Sequence, residues 1–186
     1  MAIVRPPKWL TNCTNRSHSR FDFTLVKEKQ ESTLRQFRQQ AAQNNWDAIN
    51  SDHFDWWMFP IDDGRLPDFN LAGQADVDCL LADPKWVSSY RESIMIVCKA
   101  MGWNLEISEP IIESSATTWQ SIPYGNKDVR LAKMIRSAWL LEMSDVFASL
   151  HAFAHYINGT IYSGKGFYYG DICLDEILYM KLPRQV

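Results

Sequence analysis

Apolar residues recur at helical spacing along most of this chain. After Asp83-Pro84, Trp86, Tyr90, Ile94, Val97, Cys98 and Met101 fall on one face. An acidic N-cap followed by proline at the first turn starts a helix, and Gly102 can adopt the left-handed conformation that stops one. A second stripe, Leu131, Met134, Ile135 and Ala138, predicts a helix from about Asp128. A third, Val146, Phe147, Leu150, Phe153, Ala154 and Ile157, predicts a helix capped by Ser144 and ended by Gly159.

Leu34, Phe37 and Ala41 place a helix over about 28–44, while the alternation in 21–26 (Phe-Asp-Phe-Thr-Leu-Val) reads as a short strand. Ser51 or Asn50 can cap a short helix that Pro60 ends, and another short helix is expected at about 76–82. Residues 103–125 read as a long loop with apolar anchors and a strand fragment at Leu105–Ile107. Ile161-Tyr162 and Phe167-Tyr168-Tyr169, separated by Ser-Gly-Lys-Gly, suggest a hairpin, and Asp171 to Leu182 a last helix. The expected fold is mainly α, a compact multi-helix single domain (28–186) with a small β-hairpin near the C-terminus, preceded by an N-terminal arm (1–27).

Composition narrows this picture. With 186 residues, 46% of them hydrophobic and 13% aromatic, the chain can build one substantial core. The formal net charge of -3 argues against nucleic acid as a partner, and no apolar run is long enough for a membrane span. Four scattered cysteines and no leader-like apolar stretch lead us to expect reduced thiols and a cytoplasmic setting. Charge is polarised: residues 1–46 carry eight Lys/Arg against three acids, and residues 47–83 carry nine Asp against Arg65 alone. Mutually attracting faces within the fold are the expected reason.

Few residues look like chemistry. His151 and His155 are four apart on one helix, the spacing of two metal ligands, yet the zincin glutamate is missing and no third ligand is implied. Two ordinary helix histidines are the simpler reading, and a metal-dependent hydrolase the alternative. Asp62-Asp63 and Asp76-Val-Asp78 read as loop and cap residues, Ser163-Gly-Lys-Gly166 as a turn rather than a phosphate loop, and Glu109 with Glu113 as a weak carboxylate pair. Lys127, Arg130, Lys133 and Arg136 recur every third residue and so spiral round a helix, where they can meet an acidic loop such as 62–68. Trp56-Trp57-Met58-Phe59-Pro60 is the densest aromatic cluster. It is expected to plug the core, or to leave one tryptophan, Trp56 first, in a groove that takes a ligand.

Two of these segments carry a family likeness. Asp52-His-Phe-Asp-Trp-Trp-Met-Phe-Pro-Ile61 resembles the H-D-Y-I-Q-W-L-F-P-L segment of the opioid growth factor receptor conserved region. Asn126-Lys-Asp-Val-Arg-Leu-Ala-Lys-Met-Ile-Arg-Ser137 is similar to that family's H-N-N-L-R-I-T-R-I-L-K-S run. The likeness spans about residues 47–155. Trp57, Phe59 and Pro60 match the first motif, and Arg130, Lys133 and Ser137 the second; Asp52 and Lys127 depart from it. The resemblance implies an α-helical, non-enzymatic domain. The combined expectation is a binding or adaptor module for a protein or peptide partner, with Trp56, Trp57, Phe59, Pro60, Arg130 and Lys133 as candidate contact residues, no catalytic residue and no cofactor. A self-associating structural protein is a further alternative.

Overall fold

The computed structural model describes residues 21–51, 53–112, 118–122 and 126–181. Its order is α1 (Phe23–Ala42), α2 (Trp46–Ser51), α3 (Gln74–Leu81), α4 (Pro84–Ala100), β1 (Trp103–Asn104), β2 (Glu109–Pro110), α5 (Lys127–Leu140), α6 (Ser144–Tyr156), β3 (Tyr168–Tyr169) and β4 (Ile172–Cys173). The expected mainly α fold is what forms, with strands confined to two antiparallel pairs, β1–β2 and β3–β4. No described helix is long and apolar enough to cross a membrane.

α4 forms for the reasons its sequence supplies. The Asp83 carboxylate accepts from the backbone N–H of Lys85 at 3.0 Å and Trp86 at 3.2 Å, Pro84 takes the first turn, and Gly102 stops the helix at φ 82°. Its stripe of Trp86, Tyr90, Ile94, Val97, Cys98 and Met101 is buried throughout. α4 packs on α1, and α5 packs on α6, around one hydrophobic core. α5 is the central element. Leu131, Ala132, Met134, Ile135 and Ala138 are fully buried, and so are two of its arginines.

Several expectations give way to longer-range effects. Residues 23–26 are helix, not strand: Asp22 caps α1 through Leu25 N–H at 3.0 Å, and Val26, Gln30, Thr33, Leu34 and Phe37 then share the buried face. The part of the expected arm before residue 21 lies outside the described residues. Asn50 and Ser51 do not cap a following helix but close α2, and the Asn50 amide donates to the Ala100 carbonyl at the end of α4 (2.8 Å). Ser144 is the first residue of α6 and gives it no side-chain cap. Gly159 does not stop the chain's coiling. A π-type turn, Ile157–Ile161, continues past it.

The C-terminal expectations are corrected most. Tyr168–Tyr169 pairs with Ile172–Cys173 about Gly170, at φ 59°, not with Ile161–Tyr162. The segment expected as a last helix is strand β4 followed by a single 3-10 turn, Asp175–Leu178. Gly164 and Gly166 sit at φ 77° and 85°, which uncouples Tyr162 from any strand, and Asp175 accepts the Phe167 N–H at 2.6 Å. Leu174, Ile177 and Leu178 still face inward, as their spacing required. Around 103–110, β1–β2 replaces the strand fragment expected at Leu105–Ile107, which falls in the connecting turn.

Asp83→Ala removes a cap whose loss costs about 1–2 kcal/mol in helix hosts. We expect a matching fall in unfolding free energy, read by urea denaturation, with the helical circular dichroism of the native state retained.

Candidate functional site

The aromatic segment is bound into the core from three sides. Phe54–Trp56 is one 3-10 turn, and Phe54, Met58, Phe59 and Pro60 are buried. Phe59 meets Phe54 and Tyr90 edge-on, at ring-centroid distances of 5.9 and 6.2 Å. Gln30 fixes the backbone, its amide donating to the carbonyls of Trp57 (2.9 Å) and Met58 (3.0 Å) while its oxygen accepts from Trp86 Nε1 at 2.6 Å. Trp57 is half-buried, donates to Thr33 Oγ1 at 2.8 Å and lies under Lys29. Trp56 is also half-buried, stacked on His53 at 5.3 Å with the Arg65 guanidinium 5.1 Å from its ring. Phe59 and Pro60 are therefore fold determinants, and Trp56 reaches the surface inside a stack rather than beside an open groove.

The basic helix residues meet this segment. Asp55 is only 5% exposed, and its carboxylate lies 2.6 Å from Lys133 Nζ and 3.6 Å from Arg130 Nε. Arg130 also donates to the Asn50 carbonyl and covers the Phe54 ring. One turn further along α5, Arg136 Nη2 pairs with Asp62 at 2.7 Å and its guanidinium covers Trp139. Lys127 Nζ donates to the Trp119 carbonyl at 2.7 Å. Each of the four spiralling cations thus has an internal partner, and three of them pair with an aspartate of the acidic segment. Arg130 and Lys133, expected as contact residues, are committed to holding the fold. Burying such charges is costly, and mutual pairing is what makes it tolerable.

A second polar cluster joins α5 to the C-terminal loop. Asp128 accepts from Tyr162 Oη at 2.6 Å and from Tyr168 N–H at 3.0 Å, and Trp119 Nε1 donates to Tyr162 Oη at 2.8 Å. Burial raises the Asp128 pKa above the usual carboxylate range, opposed by those two donors. Burial also raises the Tyr162 pKa, reinforced by the bond to Asp128. Both groups serve as fixed hydrogen-bonding partners here.

The two histidines share one acceptor. His151 Nε2 and His155 Nε2 each lie 3.1 Å from the Leu178 carbonyl oxygen. His151 is half-buried, so desolvation first and the neighbouring His155 second hold its pKa below the ordinary value. Among the described residues no three His, Cys, Asp or Glu side chains gather as a metal-ligating group. Asp76 and Asp78 are local partners on α3, accepting from Ala72 N–H and the Gln74 amide. Glu109 is exposed on β2, and Glu113 lies outside the described residues.

The surface that sequence reasoning missed is the β3–β4 hairpin. Tyr168, Tyr169 and Ile172 are each close to half exposed, and Tyr179 beyond them is 77% exposed. None of the described tryptophans is exposed to that degree. The only signal was the Tyr-Tyr-Gly-Asp-Ile run, legible as a tight turn between apolar residues. No family model, curated protein or solved structure matches the chain.

Two outcomes test these assignments. Asp55→Ala removes the carboxylate shared by the buried Arg130 and the largely buried Lys133, and breaking such a pair costs about 3–5 kcal/mol. The exposed Arg91–Asp145 pair, 2.6 Å apart, is worth about 1 kcal/mol or less, so Arg91→Ala should barely move a denaturation midpoint that Asp55→Ala lowers sharply. His151 sets a pH dependence. Its folded pKa lies below the unfolded one, so its contribution is complete above about pH 6.5 and is lost as pH falls below it. The thermal midpoint should drop between neutral pH and mild acid, and His151→Gln should flatten that drop.

Proposed function

We propose that this chain is a non-enzymatic helical binding or adaptor module for a protein or peptide partner, and that the β3–β4 hairpin with Tyr179 is its contact surface. The observation that carries the reading is the contrast in aromatic exposure. Phe54, Met58, Phe59 and Pro60 of the aromatic segment are buried and its two tryptophans half-buried, while Tyr168, Tyr169, Ile172 and Tyr179 are open to solvent. Tyrosines suit recognition because they offer a large amphipathic surface at low cost in side-chain entropy.

These residues also stand on a fixed base. Phe167 and Leu174 flank the hairpin and are buried, Leu174 N–H bonds to the Phe167 carbonyl at 2.9 Å, and Asp128 holds the Tyr168 backbone. A preorganised platform loses less on binding than a flexible loop would. The likeness of residues 47–155 to the opioid growth factor receptor conserved region supports a non-catalytic helical domain. It transfers no peptide ligand, and the hairpin lies beyond the region of likeness.

The test is a triple variant, Tyr168→Ser, Tyr169→Ser and Ile172→Thr, compared with wild type by affinity capture from the source cell and by light scattering. Loss of a stoichiometric partner, at unchanged thermal midpoint, supports the reading. Anchors of this type are worth about 2 kcal/mol or more each, so affinity for that partner should fall at least thirtyfold. Undiminished capture by the variant would move the contact surface elsewhere. Concentration-dependent dimers lost in the variant would replace the adaptor by a self-associating protein.

A further inference from the structure

His151 and His155 sit one turn apart on α6, and both direct Nε2 at the same oxygen, 3.1 Å away. The rings are nearly perpendicular, 80° between planes, with centroids 4.6 Å apart. The His151 ring and the carbonyl oxygen are each held from outside the pair. Phe147 stacks on His151 at 5.4 Å and 14°, and the Leu178 carbonyl is presented by the 3-10 turn whose Ile177 and Leu178 side chains are buried. Two nitrogens from one helix and one oxygen from a turn 23 and 27 residues further on therefore converge.

A carbonyl oxygen has two lone pairs and can accept from both rings. The same spacing is also that of neighbouring ligands around one metal ion. With metal–ligand bonds of about 2.1 Å, adjacent ligand atoms lie about 3.0–3.4 Å apart, from octahedral to tetrahedral. An ion held here would take the two Nε2 lone pairs, with each ring carrying its proton on Nδ1 instead of on the nitrogen that donates to Leu178. His155 is exposed, so the ion has a way in and the remaining coordination positions open to water.

We infer that His151 Nε2, His155 Nε2 and the Leu178 carbonyl oxygen form a binding site for an imidazole-preferring divalent transition metal, of the Zn²⁺ or Cu²⁺ class. Two imidazoles select these ions over Mg²⁺ and Ca²⁺, and the Irving–Williams order puts Cu²⁺ ahead of Zn²⁺. With no carboxylate or thiolate joining the set among the described residues, the site is an open clamp rather than a closed structural centre. Its mechanical effect is to tie the turn at Asp175–Leu178 to α6, and binding to the folded state alone stabilises that state by mass action.

Calorimetric titration of the full chain with Cu²⁺ and with Zn²⁺, in a non-coordinating buffer at neutral pH, tests this directly. One equivalent of either ion should bind and raise the thermal midpoint, Mg²⁺ should do neither, and the Cu²⁺ electron paramagnetic resonance spectrum should show coupling to two nitrogens. His151→Gln and His155→Gln, whose amides can still donate to Leu178, should each weaken binding by at least about tenfold. His53→Gln should leave it unchanged. Should His151→Gln impair folding, His155→Gln at the exposed ring carries the test alone. Binding that survives in the His155→Gln variant at wild-type strength, or an absence of binding to wild type, overturns the site.

Discussion

One buried carboxylate sets the arrangement of this molecule. Asp55 sits on a three-residue turn and meets two cations projecting from α5, Lys133 at 2.6 Å and Arg130 at 3.6 Å. A buried charge has no tolerance for drift, because an ångström of separation restores much of its desolvation cost. The pairing therefore fixes both the position and the rotation of the aromatic turn against α5. The polar thread runs further. Arg130 reaches the Asn50 carbonyl on α2, and the Asn50 amide reaches the end of α4. Four elements are thus registered by groups that cannot slide, where apolar contacts alone would permit many nearly equal packings.

The acidic segment of the chain is met by the same contacts, and Lys27 of the basic N-terminal segment meets it at Asp83. The acidic segment 47–83 supplies Asp55 and Asp62, and α5 supplies Lys133, Arg130 and Arg136 to meet them. The spiral of basic residues is what a central helix needs when its neighbours approach from several sides. It is also why α5 can bury two arginines at 1% exposure each without an external counterion.

The elements legible in the sequence are those governed locally. α4 announced its cap, its apolar face and its glycine stop within a stretch of twenty residues, and the apolar faces of α5 and α6 followed from their periodicity. The failures lie where distant groups decide. The start of α1 turned on whether Asp22 capped a helix or the alternation around it formed a strand, and neighbouring α4 favoured the helix by burying Val26 and Gln30. The hairpin was misplaced because its register depends on Asp128, forty residues away from Tyr168, and on glycine conformations that no periodicity reports. The candidate site failed in a similar way. The density of Trp56 to Pro60 measured hydrophobic demand, and only packing could tell that the core would take Met58, Phe59 and Pro60 and leave both tryptophans half-buried. The histidine pair was visible as two rings on one face, but the backbone carbonyl they share leaves no trace in residue types.

α5 also joins the core to the C-terminal hairpin. Its inner face, Arg130 to Ala138, belongs to the core, whereas Asp128 at its first turn holds Tyr162 and the backbone of Tyr168. A hairpin of two-residue strands has too few bonds to persist by itself. This one stands because a helix end too rigid to follow it provides an acceptor at each carboxylate oxygen. Burial of Asp128 disfavours its charged form, so the helix accepts a local penalty there that the tyrosine hydroxyl and backbone N–H only partly offset. Such a penalty confers nothing on the core, which is complete without the hairpin's exposed side chains. Its effect falls on the hairpin, which it anchors through the backbone of Tyr168 while the side chains of Tyr168 and Tyr169 stay close to half exposed.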